Sequence, residues 1–200
     1  MRALEALSSG EAALVATDTV YGLAAVPGSA GCERIYELKG RPRSQALPWL
    51  VSGVGALARY GHDVPSYAFR LAVKFWPGAL TLVVKASEEA CKLGGVALDG
   101  TLALRCPADV NCLSALSSLG RPLACTSANL HGKPAVREKS SLDSSFRALP
   151  GYGELPAACV GGEPSTIVSC LSGSPSLVRG GPVSFEDVCA CAAGDATLPV

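Results

Sequence analysis

The sequence predicts an α/β fold built on an open sheet with both parallel and antiparallel strand pairs, and three observations predict it. Short apolar, β-rich runs recur at 13–16, 47–51, 80–84, 101–105, 122–126, 166–168 and 177–179, each the length of a buried strand. Between them lie apolar residues spaced three or four apart, the period of a helix face: Cys32, Ile35, Tyr36 and Leu38; Ala68, Leu71, Ala72 and Phe75; Leu113, Leu116 and Leu119. The last two strand runs follow one another with no helical pattern between them, so they are expected to pair antiparallel.

The remaining elements follow from composition and punctuation. Two hundred residues, 48% hydrophobic and 17% charged, suit one domain spanning 1–200, because a chain of this length can bury most of its apolar surface around a single core. Pro65 and Ser184 mark helix starts, the second with Asp187 three positions on as a near capping box. The stretch 132–163 is rich in Pro, Gly, Ser and charge and is predicted to be a mobile segment, with a second role as a flap over a bound ligand.

Charge and cysteine usage exclude several classes. Lys plus Arg equals Asp plus Glu at 17 each, so no long-range field steers the whole chain onto nucleic acid, and any site for a polyanion is local. No apolar run could span a bilayer, and Glu5, Glu11 and Asp18 interrupt any signal-like pattern, which predicts a cytoplasmic protein with no membrane partner. Nine cysteines form no C-x-x-C pair and are read as buried small hydrophobes in a reducing compartment, Cys189 and Cys191 included. With only two histidines, a histidine-rich zinc centre is not expected.

One motif is a decoy. Gly53-Val-Gly55 follows a strand run as a dinucleotide fingerprint would, but the acidic residue expected about twenty positions on is missing, since that stretch reads Leu71-Ala-Val-Lys-Phe. No P-loop, H-E-x-x-H or G-x-S-x-G pattern occurs. What remains is a set of polar residues where buried runs meet turns: Thr17-Asp-Thr19, Lys39-Gly-Arg41, Arg105, Ser127-Ala-Asn129, Ser165 and Arg179. Ligands of open α/β sheets bind at strand ends, so these are expected to converge on one cleft. Arg105 and Arg179 each end an apolar strand, where a guanidinium needs an anionic partner.

The motifs T-D-T-V-Y-G-L, K-G-R, W-P-G-A-L-T-L-V, L-R-C-P, T-S-A-N, and S-T-I-V with L-V-R-G-G, in this order over residues 13–181, resemble the YrdC/TsaC threonylcarbamoyl-adenylate synthases in their short, stand-alone form. The resemblance implies a YrdC-like twisted sheet of mixed strands flanked by helices around a large cationic cleft. It implies an enzyme, a nucleotidyltransferase joining L-threonine, bicarbonate and ATP, with Mg²⁺, into threonylcarbamoyl-AMP and pyrophosphate. The product would pass to a downstream tRNA threonylcarbamoyl-transferase for modification of tRNA position 37.

By the same resemblance Thr19, Arg105, Ser127 and Ser165 would hold threonine, and Arg41, Gln45, Thr101, Asn129, Arg137 and Arg179 would contact ATP. Lys39 and Arg41 would be the catalytic cations, with Lys39 offsetting phosphate or bicarbonate charge. The chain departs from the pattern at Leu50, where many relatives carry a histidine, and at Arg137, where a hydroxyl residue is commoner. The alternatives are a paralogue that binds double-stranded RNA or tRNA without synthase activity, and a carbamoyl-transfer role in hydrogenase maturation.

Overall fold

A computed structural model of the chain describes residues 3–151, 159 and 161–194. Nine strands form one sheet: β1 (Ala13–Val15), β2 (Gly22–Ala25), β3 (Trp49–Leu50), β4 (Gly61–His62), β5 (Leu80–Ala86), β6 (Thr101–Arg105), β7 (Leu123–Ser127), β8 (Thr166–Ser169) and β9 (Ser176–Arg179). Their order is β1-β2-β7-β3-β6-β5-β8-β9, with β4 paired to β5. Only β3 with β6 and β5 with β8 run parallel; every other pair is antiparallel, including β8 with β9 as the sequence predicts.

Each strand run read from the sequence contributes a strand to the sheet: 47–51 shrinks to Trp49–Leu50, while 80–84, 166–168 and 177–179 are longer by one or two residues. Two strands were not anticipated. Strand β2 is made of Gly, Leu and two Ala, which carry no β-branched signal, and β4 has two residues. The three periodic segments are α2 (Ala30–Lys39), α4 (Ser66–Phe75) and α6 (Val110–Leu119). Helix α8 (Phe185–Ala193) starts as expected: Ser184 Oγ accepts from the Asp187 amide and donates to the Asp187 carboxylate at 2.7 Å. Four short helices, α1 (Ala3–Ser8), α3 (Gly55–Tyr60), α5 (Glu88–Leu93) and α7 (Ser144–Arg147), are too brief to show a period.

Strand alternation creates the asymmetry that makes the site. Trp49, Leu80, Leu82, Leu104, Ala124 and Val168 face one side of the sheet and join the large core with Ile35, Leu57, Leu71 and Val188 from the helices. The opposite face has a smaller core under α1 and α6, built on Ala13, Val15, Leu50, Leu123 and Cys125. It therefore covers only the β1-β2-β7-β3 half. Over β6, β5 and β8 that second face presents Arg105, Thr81 and Ile167, the alternates of the core residues, and there the cavity opens.

Two cysteine expectations change, and the segment 132–163 has anchors that its composition did not announce. Cys189 is exposed, so it is not core filling, whereas Cys191, half-buried and one helical turn beyond the buried Val188, packs against the large core: two positions apart on a helix that buries one stripe, the two thiols face different ways. Cys91 is exposed as well, while the other six cysteines are buried. The segment 132–163 is anchored over its described residues: Leu142 and Phe146 are buried, Tyr21 N donates to Val136 O, and Leu14 N donates to Pro150 O. Its turn-forming composition hides two apolar anchors. Residues 152–158 and 160 of the segment lie outside the described residues.

Candidate active site

The loop joining β1 to β2 organises itself before it organises anything else. Thr17 Oγ1 donates to Val20 O at 2.7 Å, accepts from the Val20 amide, and meets Thr19 Oγ1 at 2.9 Å. This hydroxyl-closed turn is a local alternative to strand geometry, and it keeps both threonines buried. Thr19 Oγ1 then accepts from Arg105 NH1 at 2.8 Å, and Asp18 lies 2.7 Å from Arg105 NH2.

Arg105 ends β6 and is held from a third direction. Its Nε donates to Gly78 O at 2.9 Å, while Gly78 N donates to Cys106 O, so the Trp76-Pro-Gly78 turn is pinned across the strand end. A Cβ on Gly78 would come within 2.5 Å of Phe75 O, which explains the glycine. A guanidinium has five N–H donors; three are committed to these partners, and two remain for a ligand.

Across the cavity, Ser165 Oγ meets Thr81 Oγ1 at 2.8 Å, and Arg179 wraps the same residue, its NH2 donating to Ser165 O at 2.7 Å. Burial, and next the charge of Arg105, pull the Arg179 pKa below its ordinary value. The two guanidiniums therefore share one field.

Lys39 and Arg41 diverge because Gly40 between them caps α2 in the left-handed region, at φ 63° and ψ 32°. Arg41 turns into the cavity and donates to the carbonyls of Gln45 and Ala46 at 3.0 and 3.2 Å. Lys39 turns inward, where its ammonium donates to the carbonyls of Ser127 and Asn129. Burial, with the charge of Arg41 second, pushes the Lys39 pKa down to about 8. Lys39 thus closes the end of β7 rather than lining the cavity.

The resulting cavity of about 220 Å³ is smaller than the roughly 300–1,000 Å³ of drug-sized ligand pockets and suits a small polar molecule. Of the residues singled out in the sequence, Thr17, Thr19, Arg41, Arg105, Ser127, Ser165 and Arg179 line it. The others stand apart from the lining. Asn129 is tied through its side-chain amide to Leu130 O and Lys133 O. Gln45 is exposed and reaches Arg41 through its backbone carbonyl. Arg137 is exposed and lies against Gly162, whose amide donates to Thr19 O. Thr101 starts β6, the strand that Arg105 ends, and its hydroxyl donates to Asp99 at 2.7 Å.

Sequence reasoning expected Thr17 and Asp18 at the cleft without giving either a role, and it passed over Thr81 and Cys125. Thr17 and Asp18 stood in a noted motif, but only pairing across 87 positions reveals what Asp18 does. Cys125 lines the cavity, its thiol pushed up to about 12 by burial despite the opposing pull of Arg105 and Lys39. Leu50 lines it too, at one of the positions where the chain departs from the motif pattern.

A family profile named Sua5/YciO/YrdC and described as telomere recombination matches residues 5–181. The chain belongs to this Sua5/YciO/YrdC family. Among its members, the threonylcarbamoyl-AMP synthase of Pyrococcus abyssi is 32% identical over 188 residues, covering 91% of this chain and 54% of that protein. A putative threonylcarbamoyl-AMP synthase of Mycobacterium leprae is 33% identical, covering 93% of this chain and 84% of its own length. A crystal structure of P. abyssi Sua5 complexed with L-threonine superposes with a TM-score of 0.82 at 29% identity, over 94% of this chain and 56% of that one. The chain spans about half the length of the first two curated relatives. The mixed sheet flanked by helices is the fold of this family.

Proposed function

We propose that the chain is a threonylcarbamoyl-AMP synthase that acts as one YrdC-like domain. The observation that carries this reading is Arg105: a buried guanidinium fixed from three directions, with two donors left and hydroxyls of Thr19, Ser127 and Ser165 around the same small cavity. This is a receptor for a planar carboxylate on a small hydroxyl-bearing molecule, and L-threonine is one. The names of the relatives, and a Sua5 structure complexed with L-threonine, support the synthase over an RNA-binding paralogue.

In the proposed reaction the threonine amine condenses with bicarbonate, losing water, to give a carbamate. One carbamate oxygen then attacks the α-phosphorus of ATP; a phosphorus–oxygen bond forms, the bond to the β-phosphate oxygen breaks, and pyrophosphate leaves. The protein's task is to align two anions and offset their repulsion. Arg41 and Arg179, which line the cavity, are the cations for the phosphates, with Arg137 on the segment outside it. Lys39 is assigned a double part: its charge lies close to the site, and its donors hold the carbonyls of Ser127 and Asn129.

No described lining residue is acidic, so Mg²⁺ is proposed to enter on the phosphates of ATP rather than on a protein carboxylate. Among the described residues no helix is long and apolar enough to cross a membrane. A cytoplasmic setting, with a tRNA threonylcarbamoyl-transferase accepting the product, belongs to this proposal. The test is pyrophosphate release: ATP, bicarbonate, Mg²⁺ and the folded protein should release pyrophosphate with L-threonine and far less with serine or valine. Absence of release with threonine overturns the proposal.

A further inference from the structure

We propose that Asp18 divides the cationic wall of the cavity into a neutralised half and an uncompensated half, reserving Arg105 for a carboxylate while polyphosphate is drawn to Arg41 and Arg179. The inference rests on the proposed reaction and adds a specificity-determining, positioning role for a residue that does not itself line the cavity.

The charges are distributed unevenly. Asp18 lies behind Arg105 at 2.7 Å, and the two side chains are only 18% and 8% exposed, so their pairing is little screened by solvent. Among the described residues Arg41 and Arg179 have no carboxylate partner; their donors go to the carbonyls of Gln45, Ala46 and Ser165. A carbonyl orients a guanidinium but leaves its full charge in place. Arg105 is both oriented and neutralised.

Ligand chemistry turns that difference into a sorting rule. A carboxylate carries one charge in a plane, and two parallel N–H bonds satisfy it, which the remaining Arg105 donors supply. Pyrophosphate and triphosphate carry several charges and gain most where the positive field is uncompensated. Because Arg105 and Arg179 share one field, removing the charge of Asp18 would merge the two halves and let a polyphosphate bridge them, in competition with threonine.

Asp18→Asn tests this, since the amide oxygen can still accept from Arg105 while the charge is gone. L-threonine is titrated calorimetrically into each protein with and without saturating inorganic pyrophosphate. In the wild type the threonine Kd should stay within about twofold on adding pyrophosphate; in Asp18→Asn it should rise about tenfold, and Asp18→Glu should restore the insensitive behaviour. A merely structural role would lower the melting temperature and threonine affinity together, blind to pyrophosphate, and that result overturns the inference. Should Asp18→Asn fail to fold, Arg105→Gln and Arg179→Gln decide the matter. The first should weaken threonine and spare pyrophosphate, the second the reverse, and equal loss of pyrophosphate binding in both overturns the division. Failure of threonine to bind the wild type overturns the reading of the site and the inference with it, whereas bound threonine equally blind to pyrophosphate in wild type and Asp18→Asn overturns the inference alone.

Discussion

The loop at 17–22 lines the cavity, the segment at 132–151 lies outside that lining against the loop, and the two are held by different physics. The loop is buried, closed by its own threonine hydroxyls, and clamped to Arg105 by two side chains. The segment is mostly exposed and is fastened by two apolar side chains, Leu142 and Phe146, together with a few backbone bonds that include a single bridge from Leu14 to Gly151. Polar networks specify geometry and resist small displacements, whereas a pair of apolar anchors fixes an element without fixing every residue in it. The wall proposed for threonine is thus continuous with the sheet, and the segment that carries Arg137 is a separately fastened piece outside it.

The largest expected effect breaks the second region and leaves the first. Phe146 is fully buried, so Phe146→Ala should cost about 3–5 kcal/mol of packing. If the two regions are separate, the loss is local: hydrogen exchange should speed up across 132–151 and at Tyr21, whose amide donates to Val136 O, while the amides of Thr19 and Val20, bonded to Thr17 Oγ1 within the loop, keep their protection. The KM for ATP should rise more than that for threonine. A uniform loss of protection would show that the regions open as one unit, and the comparison would fail.

Lys39 sits where the regions meet, holding the end of β7 while its own carbonyl accepts from the His131 amide. With its pKa lowered from 10.5 to about 8, the folded protein sheds this proton first. Between those values the unfolded chain binds more protons, so the contribution of this group to stability rises with pH. Any step that needs the ammonium charge moves the other way. Pyrophosphate release at saturating substrate should fall about tenfold from pH 7 to 9 if the charge assists the reaction, while the melting temperature shows no matching fall. A pH-independent rate would leave Lys39 with a structural part only.

Much of this was legible in the sequence for identifiable reasons. The longer strands and the three ten-residue helices α2, α4 and α6 declare themselves by period, and the polar residues that end strands converge because strand ends share an edge. Strand β2 stayed hidden because its small residues owe their place to pairing with β7. Asp18 was expected near the cleft but given no partner, because Arg105 is remote in sequence and no local rule pairs them. Arg105 shows the same limit from the other side: its need for an anion was correctly inferred, and Asp18 already meets part of that need. The segment at 132–163 was read from its Pro and Gly content, which reports turns well and buried anchors such as Phe146 poorly.

Thr101→Ala should have the smallest effect, and it sharpens the comparison by separating resemblance from geometry. The resemblance gives Thr101 a contact with ATP, but the structure sets it at the start of β6, with its hydroxyl and amide both on the exposed Asp99 carboxylate. Four residue steps along the strand separate it from Arg105, about 13 Å at the usual rise per residue. Losing an exposed hydroxyl contact of this kind costs about 0.5–1 kcal/mol at most, since water replaces the partner. The KM for ATP should therefore change by less than about threefold, and threonine affinity should not change. A tenfold rise in the KM for ATP with unchanged stability would mean that the nucleotide reaches the far end of β6. The cavity around Arg105 would then be one end of a longer groove, and the two-region comparison would need a third wall.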